Sequence, residues 1–169
     1  MRHIETFLRS KIISYSEAKR ISQNLKREGK KIVFKTGCFD ILHVGHTRIL
    51  QYCKSLGDIL FVCVGSDLWL RKYKGSDRPI FPEKIRAEVI AALECVDYVI
   101  ISKEAPRGRI DHKRIIGLIR PTYYVLPPDD KALLEKRRLA KKHNIIIKLK
   151  KETKGKNIHY FKGTIDTKR

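Results

Sequence analysis

Several things are scarce or missing in this sequence, and each shortage excludes something. Acids are scarce: 18 Asp and Glu face 38 Lys and Arg, a formal charge of +20 at pH 7. A surface of that sign makes polyanions natural partners. Cysteines are few, and none of Cys38, Cys53, Cys63 and Cys95 stands in a Cys-x-x-Cys pair. That spacing argues against a zinc site or a disulfide framework, and reduced, mostly buried thiols are expected. Long apolar runs are missing too. The longest kind, Ile59 to Val64, is too short to cross a bilayer, so no membrane association is expected. Residues Met1 to Ser10 include Arg2, Glu5 and Arg9 and hold no apolar core of signal-peptide length, which predicts a cytoplasmic protein. No internal repeat or low-complexity segment is visible.

What is present suits a single domain. The 169 residues are 42% hydrophobic, enough to build a real core. We expect one domain over 1–169, with an N-terminal helical segment (1–29), an α/β core (30–150) and a basic C-terminal tail (151–169). From Lys131 to Arg169, fourteen Lys or Arg face three acids, so over half of the surplus charge lies in the last quarter.

Periodicity places the elements. Ser14-Tyr15-Ser16-Glu17 has the spacing of a capping box and opens a helix to about Glu28, with Ala18, Ile21 and Leu25 as its buried stripe. Strands are expected at about 31–36, 59–64, 98–101, 123–126 and 145–149. Helices are expected at about 44–56, 82–94, 110–119 and 130–143. Ile59 to Val64 is apolar at every position, the pattern of a strand covered on both faces. Strands alternating with helices predict an α/β fold: a doubly wound, parallel, five-stranded sheet with helices on both faces. Ligands bind such sheets beyond the carboxyl ends of the strands, where the strand order switches. Thr36–His46, Gly65-Ser66-Asp67 and Pro127-Pro128-Asp129 all fall at strand ends and can line one crevice.

The chemistry concentrates in Thr36-Gly37-Cys38-Phe39-Asp40-Ile41-Leu42-His43-Val44-Gly45-His46, where a strand gives way to a helix. A helix N-terminus there offers free N–H groups and partial positive charge, which suit phosphate. The imidazoles of His43 and His46 can donate hydrogen bonds to phosphate oxygens as charge builds on them. Gly45 lets backbone approach a ligand without a Cβ in the way. Thr36, Gly37, Cys38 and Phe39 form the turn, their amides facing phosphate and the Phe39 ring packing. Asp40 has two readings: a carboxylate near a triphosphate's magnesium, or a brace accepting backbone N–H bonds. Asp67 either accepts from ribose or acceptor hydroxyls or caps a helix. The neighbouring carboxylates Asp129 and Asp130 point apart on extended chain and are not read as an acid pair. His3, His112, His143 and His159 have no partner spacing and are expected at the surface.

The His43-Val44-Gly45-His46 stretch, with Gly37-Cys38-Phe39-Asp40 before it, resembles the nucleotidyltransferases of the cytidylyltransferase type, known by a His-x-Gly-His motif. Within them it is most similar to the sugar-phosphate adenylyltransferases that make ADP-heptose. Leu56-Gly57-Asp58, Ser66-Asp67 and Lys74-Gly75-Ser76-Asp77-Arg78-Pro79 extend the likeness, which runs from about Ser14 to Ile101. The resemblance implies a Rossmann-like fold and transfer of AMP or CMP, from ATP or CTP, to a small phosphorylated acceptor such as a sugar phosphate. Pyrophosphate leaves, and Mg2+ accompanies the triphosphate. It implies that Lys74 reaches the phosphates beside His43 and His46, and that Arg86 helps organise the nucleotide site. Relatives of this kind commonly pair into homodimers.

The sequence departs from the family pattern in three places. The family's Lys-Gly-Gly-Asp at the end of the fourth strand is here Leu126-Pro127-Pro128-Asp129. Prolines there remove N–H donors and fix φ, so the pocket for the base, expected around Pro127 and Asp129, must differ. The Ser/Thr-rich second motif has only Lys162–Arg169 as a counterpart. Lys84 stands where the family often carries an acid. These departures support an alternative: a degenerate nucleotide crevice that holds RNA or another polyanion through its basic C-terminal quarter.

Overall fold

The structure is a computed structural model and describes residues 2–104 and 108–151. The helices are α1 (Arg2–Lys11), α2 (Tyr15–Arg27), α3 (Val44–Ser55), α4 (Asp67–Lys74), α5 (Glu83–Ala91), α6 (Lys113–Ile119) and α7 (Leu133–Lys142). The strands are β1 (Ile32–Gly37), β2 (Ile59–Val64), β3 (Tyr98–Ile101), β4 (Tyr123–Leu126) and β5 (Ile146–Leu149). All pair in parallel, in the order β3-β2-β1-β4-β5. The chain builds outward from β1 through β2 to β3, then returns to lay β4 on the other side of β1. The order therefore reverses between β1 and β4, where open α/β sheets form their crevice.

The alternation of side chains along each strand divides the core in two. Ile32, Phe34, Phe61, Cys63, Ile100, Tyr124 and Leu126 face one way and pack with Ala18, Ile115, Ile116, Ile119 and Ala140 from α2, α6 and α7. Val33, Leu60, Val62, Val64, Val99 and Val125 face the other way, onto Ile49, Leu50, Cys53, Ala87, Ile90 and Ala91 from α3 and α5. The every-second-residue pattern of the strands thus meets helical stripes on both faces. The Ser14 capping box forms as read: the Ser14 hydroxyl accepts from Glu17 N–H, and the Glu17 carboxylate accepts from Ser14 N–H.

One further helix lies within the segment expected to be helical, and one was not expected. In α1, Lys11 near the C-terminal end donates to the carbonyls of Val96, at 2.9 Å, and Leu93. Helix α4 occupies a stretch expected to be loop. Ser66, rather than Asp67, is its N-cap, its hydroxyl accepting from Trp69 N–H at 3.2 Å. Lys74 is consequently the last residue of a helix. The loop begins at Gly75, whose φ of 114° a side chain would strain. Helix α6 starts at Lys113, leaving Ile110, Asp111 and His112 in the preceding loop. All four cysteines are free thiols; Cys53 and Cys63 are buried, Cys38 and Cys95 half-buried. Among the described residues, no helix is long and apolar enough to cross a membrane. The second-motif candidate Lys162–Arg169 and nearly all of the basic tail lie outside the described residues.

Candidate active site

A cleft of about 740 Å³ opens at the carboxyl ends of β1, β2 and β4. Its floor and one wall come from Lys35 to Ile41, Gly65 and Pro127. His46, Lys74 and Arg78 line one part of it; Trp69, Arg109, Asp111, His112, Asp130 and Lys136 line the rest.

The turn after β1 is shaped by two neighbours. Phe39 adopts φ 48°, a left-handed conformation that turns the chain sharply. Its ring then folds back over Gly37, where a Cβ would lie 2.7 Å from the ring. Gly37 is required for this close approach. The Phe39 ring is buried, edge-on to His46 at a centroid distance of 5.3 Å.

His43 is the N-cap of α3, and its Nδ1 accepts from Gly45 N–H at 3.1 Å. In the neutral ring this bond assigns the proton to Nε2, which is left to donate elsewhere. The His43 and His46 rings stack with centroids 3.9 Å apart and planes 26° from parallel. His46 lines the cleft and His43 lies against it. Two imidazole donors and the first turn of a helix therefore meet at one point beside the crevice.

Arg86 was expected at the nucleotide, and the structure places it underneath. It is 1% exposed. Its guanidinium donates to the carbonyls of Phe81 and Gly65, both at 2.8 Å, to that of Cys38, and to the Asp67 carboxylate at 2.7 Å. One planar fork thus joins the ends of β1 and β2, the start of α4 and the approach to α5. Asp67 is committed to this pair and does not line the cleft. Its own N–H donates to Glu83 at 2.8 Å.

Asp40 lines the cleft as a brace. One of its oxygens accepts from Arg78 at 2.8 Å; the other accepts from the N–H groups of Ile80, at 2.8 Å, and Phe81, at 3.2 Å. Burial alone would raise its carboxyl. The bonds from Arg78, Phe81 and Ile80 outweigh burial and hold it below the ordinary value. Three bonds thus occupy the carboxylate, and Asp40 stands in this structure as the loop brace of its two readings. Among the described residues no cluster of three His, Cys, Asp or Glu side chains suits a metal ion. The Cys38 thiol is pushed up, chiefly by burial and against the pull of Lys74, which makes it a wall rather than a nucleophile.

Near Pro127, Asp130 replaces the expected Asp129. Asp129 is exposed and off the cleft, while Asp130 lines it and binds Lys136 Nζ at 2.7 Å. Burial would raise Asp130, but its bonds to Lys136 and Ala132 leave it below the ordinary value.

Sequence reading also missed Lys35, Asp111 and His112. Lys35, on the strand read at about 31–36, is 4% exposed and was not expected to line the cleft. His112, expected at the surface, is 2% exposed. Its Nδ1 meets Asp111 Oδ1 at 2.9 Å and its Nε2 meets the Tyr124 hydroxyl at 2.5 Å. Burial holds the imidazole below its ordinary value, against the opposing pull of Asp111. The neutral ring then donates from Nδ1 to Asp111 and accepts the Tyr124 proton at Nε2. The adjacent Asp111-His112 pair was the available signal, since a histidine beside a carboxylate has a partner to satisfy it.

A parallel sheet with a paired-histidine helix start at its switch point defines a nucleotidyltransferase-type domain. Residues 34–147 match the cytidylyltransferase-like family, and the chain belongs to that family. Its stretch of 93 residues is 52% identical to the bifunctional protein HldE of a Nitratiruptor species, covering 55% of this chain and 20% of that protein. Against HldE of Geobacter sulfurreducens identity is 41% over 102 residues, 60% of this chain and 21% of that one. The chain thus spans about a fifth of the length of these curated relatives. The crystal structure of the lipopolysaccharide core biosynthesis protein from Thermoplasma volcanium superimposes with a TM-score of 0.59 at 33% identity, over 72% of this chain and 94% of that one. A pantoate-beta-alanine ligase from Francisella tularensis shares the fold alone, with a TM-score of 0.61 at 15% identity over 83% of this chain and 66% of that one.

Proposed function

We infer that this protein transfers AMP or CMP from a nucleoside triphosphate to a small phosphorylated acceptor such as a sugar phosphate, releasing pyrophosphate. The observation that carries this reading is the stacked His43–His46 pair at the N-terminus of α3, beside an open cleft. The HldE likeness over the domain supports a sugar phosphate as acceptor.

An acceptor phosphate oxygen attacks the α-phosphorus; one P–O bond forms, the bond to the β-phosphate breaks, and pyrophosphate leaves with the electron pair. Such a step needs alignment and positive charge more than covalent help. His43 Nε2 and the His46 ring supply donors to the oxygens that gain charge. Lys74, from the end of α4, supplies a mobile cation to the departing phosphates. Thr36 to Phe39 and Gly45 form the close-fitting backbone under them. Pro127, with Asp130 behind it, bounds the region for the base. Asp67 and Arg86 hold the walls at their spacing. Magnesium enters as part of the substrate, carried by the triphosphate, since the protein offers it no cage of its own among the described residues. Homodimer formation and a cytoplasmic location stay within this proposal.

The test is pyrophosphate release with ATP, CTP, GTP or UTP, each paired with a panel of phosphorylated sugars and alcohols. Magnesium-dependent release that is lost in His43→Ala and His46→Ala supports the reading. No release with any pair, together with tight, salt-dependent RNA binding, would replace it with the polyanion-binding alternative.

A further inference from the structure

Two buried polar atoms of residues that line the cleft have no hydrogen-bond partner within the protein: Asp111 Oδ2 and Trp69 Nε1. Both residues line the cleft, Trp69 from α4 and Asp111 from the loop before α6. Asp111 is 5% exposed, and its Oδ2 lies 3.3 Å from where a Cβ on Gly65 would stand, at the end of β2. A buried carboxylate oxygen or indole N–H left unsatisfied is costly, so such atoms normally have a partner. Asp111 is also held in place. Its other oxygen accepts from the His112 ring, which is pinned in turn by the Tyr124 hydroxyl. The relay fixes the orientation of Oδ2 without consuming it.

An acceptor atom and a donor atom, supplied by separate elements to one cleft, match groups that can donate and accept at once. A hydroxyl does both. An ammonium only donates, and it would also meet the cations Arg109, Lys131 and Lys136 that line the same cleft. Those cations suit the acceptor's phosphate.

We propose that Asp111 Oδ2 and the Trp69 indole N–H bind hydroxyls of the phosphorylated acceptor, making them the groups that select polyhydroxylated phosphates over amino-alcohol phosphates. The inference rests on the nucleotidyl-transfer reading of the cleft. Asp111 and Trp69 are binding residues; His112 and Tyr124 are positioning residues that act through Asp111.

The test compares wild type with Asp111→Asn, which keeps the shape but turns Oδ2 into a donor, and Trp69→Phe, which removes the N–H. Pyrophosphate release is followed with glycerol 3-phosphate, ribose 5-phosphate and glucose 1-phosphate, and separately with ethanolamine phosphate. Wild type should use a hydroxylated phosphate. Asp111→Asn should raise the KM for that acceptor about tenfold or more, and Trp69→Phe should raise it severalfold. The nucleotide KM, the magnesium requirement and the unfolding temperature should stay near wild type. An acceptor KM within twofold of wild type in Asp111→Asn would overturn the proposal. So would a rise in the nucleotide KM or the magnesium requirement instead, or a preference for ethanolamine phosphate. A lower unfolding temperature with unchanged KM would reduce the trio to a brace and overturn it as well. If wild type turns over no pair, the transfer reading fails by itself, and calorimetry with the same phosphates decides this inference. Binding of a hydroxylated phosphate that weakens in Asp111→Asn upholds it; equal binding, or none to wild type, sinks it.

Discussion

The two sides of the cleft are built on opposite principles. On the β1–α3 side the bracing groups are satisfied from within: Asp40 by Arg78 and two amides, His43 Nδ1 by Gly45, and the loop carbonyls by Arg86. On the α4–α6 side, Asp111 Oδ2 and Trp69 Nε1 are left without hydrogen bonds. A frame that closes its own bonds holds a fixed geometry, as alignment of a reacting phosphate demands. A wall that leaves bonds open can discriminate, because the wrong ligand strands those atoms. On the proposed reading, the braced histidine turn serves the reaction, while Asp111 and Trp69 choose what reacts.

That contrast can be broken most forcefully at Arg86. Arg86→Met strands three carbonyls and the Asp67 carboxylate in a dry site, and should cost about 3–5 kcal/mol of stability. Chemical denaturation measures it. Arg86→Lys should recover only part, because one ammonium cannot span four acceptors. The next effect is kinetic. His43→Ala or His46→Ala should each lower kcat by about 10²-fold or more, with the unfolding midpoint near that of wild type, as read by single-turnover assay and thermal melts. A collapse of the fold instead would show that the pair is structural.

A smaller effect tests the opposite side. The buried, neutral His112 resists protonation when folded, whereas in the unfolded chain it takes a proton near the ordinary value of 6.5. Below that pH the unfolded state binds more protons. This contribution to stability is therefore present above 6.5 and lost as the pH falls through the folded value. His143, also lowered by burial with Arg120 and Lys142, adds the same sign. Denaturation midpoints should fall between pH 7 and 5, and His112→Asn should flatten part of that slope. The smallest effect is expected at Asp40. Asp40→Asn weakens a partly exposed pair with Arg78 and should cost about 1 kcal/mol or less. The magnesium concentration needed for half-maximal activity should not change; a rise would make Asp40 a ligand after all.

The same contrast explains what could be read from the chain. The five strands and the Thr36–His46 turn were legible because each is a local pattern: an apolar run, a capping box, a glycine beside paired histidines. Helix α4 was not, since Asp67–Lys74 carries four charges and a short apolar stripe, and its buried Leu70 gives little period to find. His112 was misplaced because its polarity argues for solvent, while partners distant in sequence, such as Tyr124, keep it inside. Asp129 was preferred to Asp130 because a one-residue choice at a turn depends on backbone direction, which composition does not encode. Arg86 was expected at the site, but its role as the tie beneath it depends on carbonyls from three separate segments.

The Arg86 tie also bears on how such a domain can diversify. A rigid planar cation is a gauge block: the loops that follow β1 and β2 are held against the approach to α5 by covalent geometry instead of by soft packing. On the proposed reading, Trp69 and Asp111 can then be exchanged for new specificities while the frame that holds the reacting groups keeps its shape.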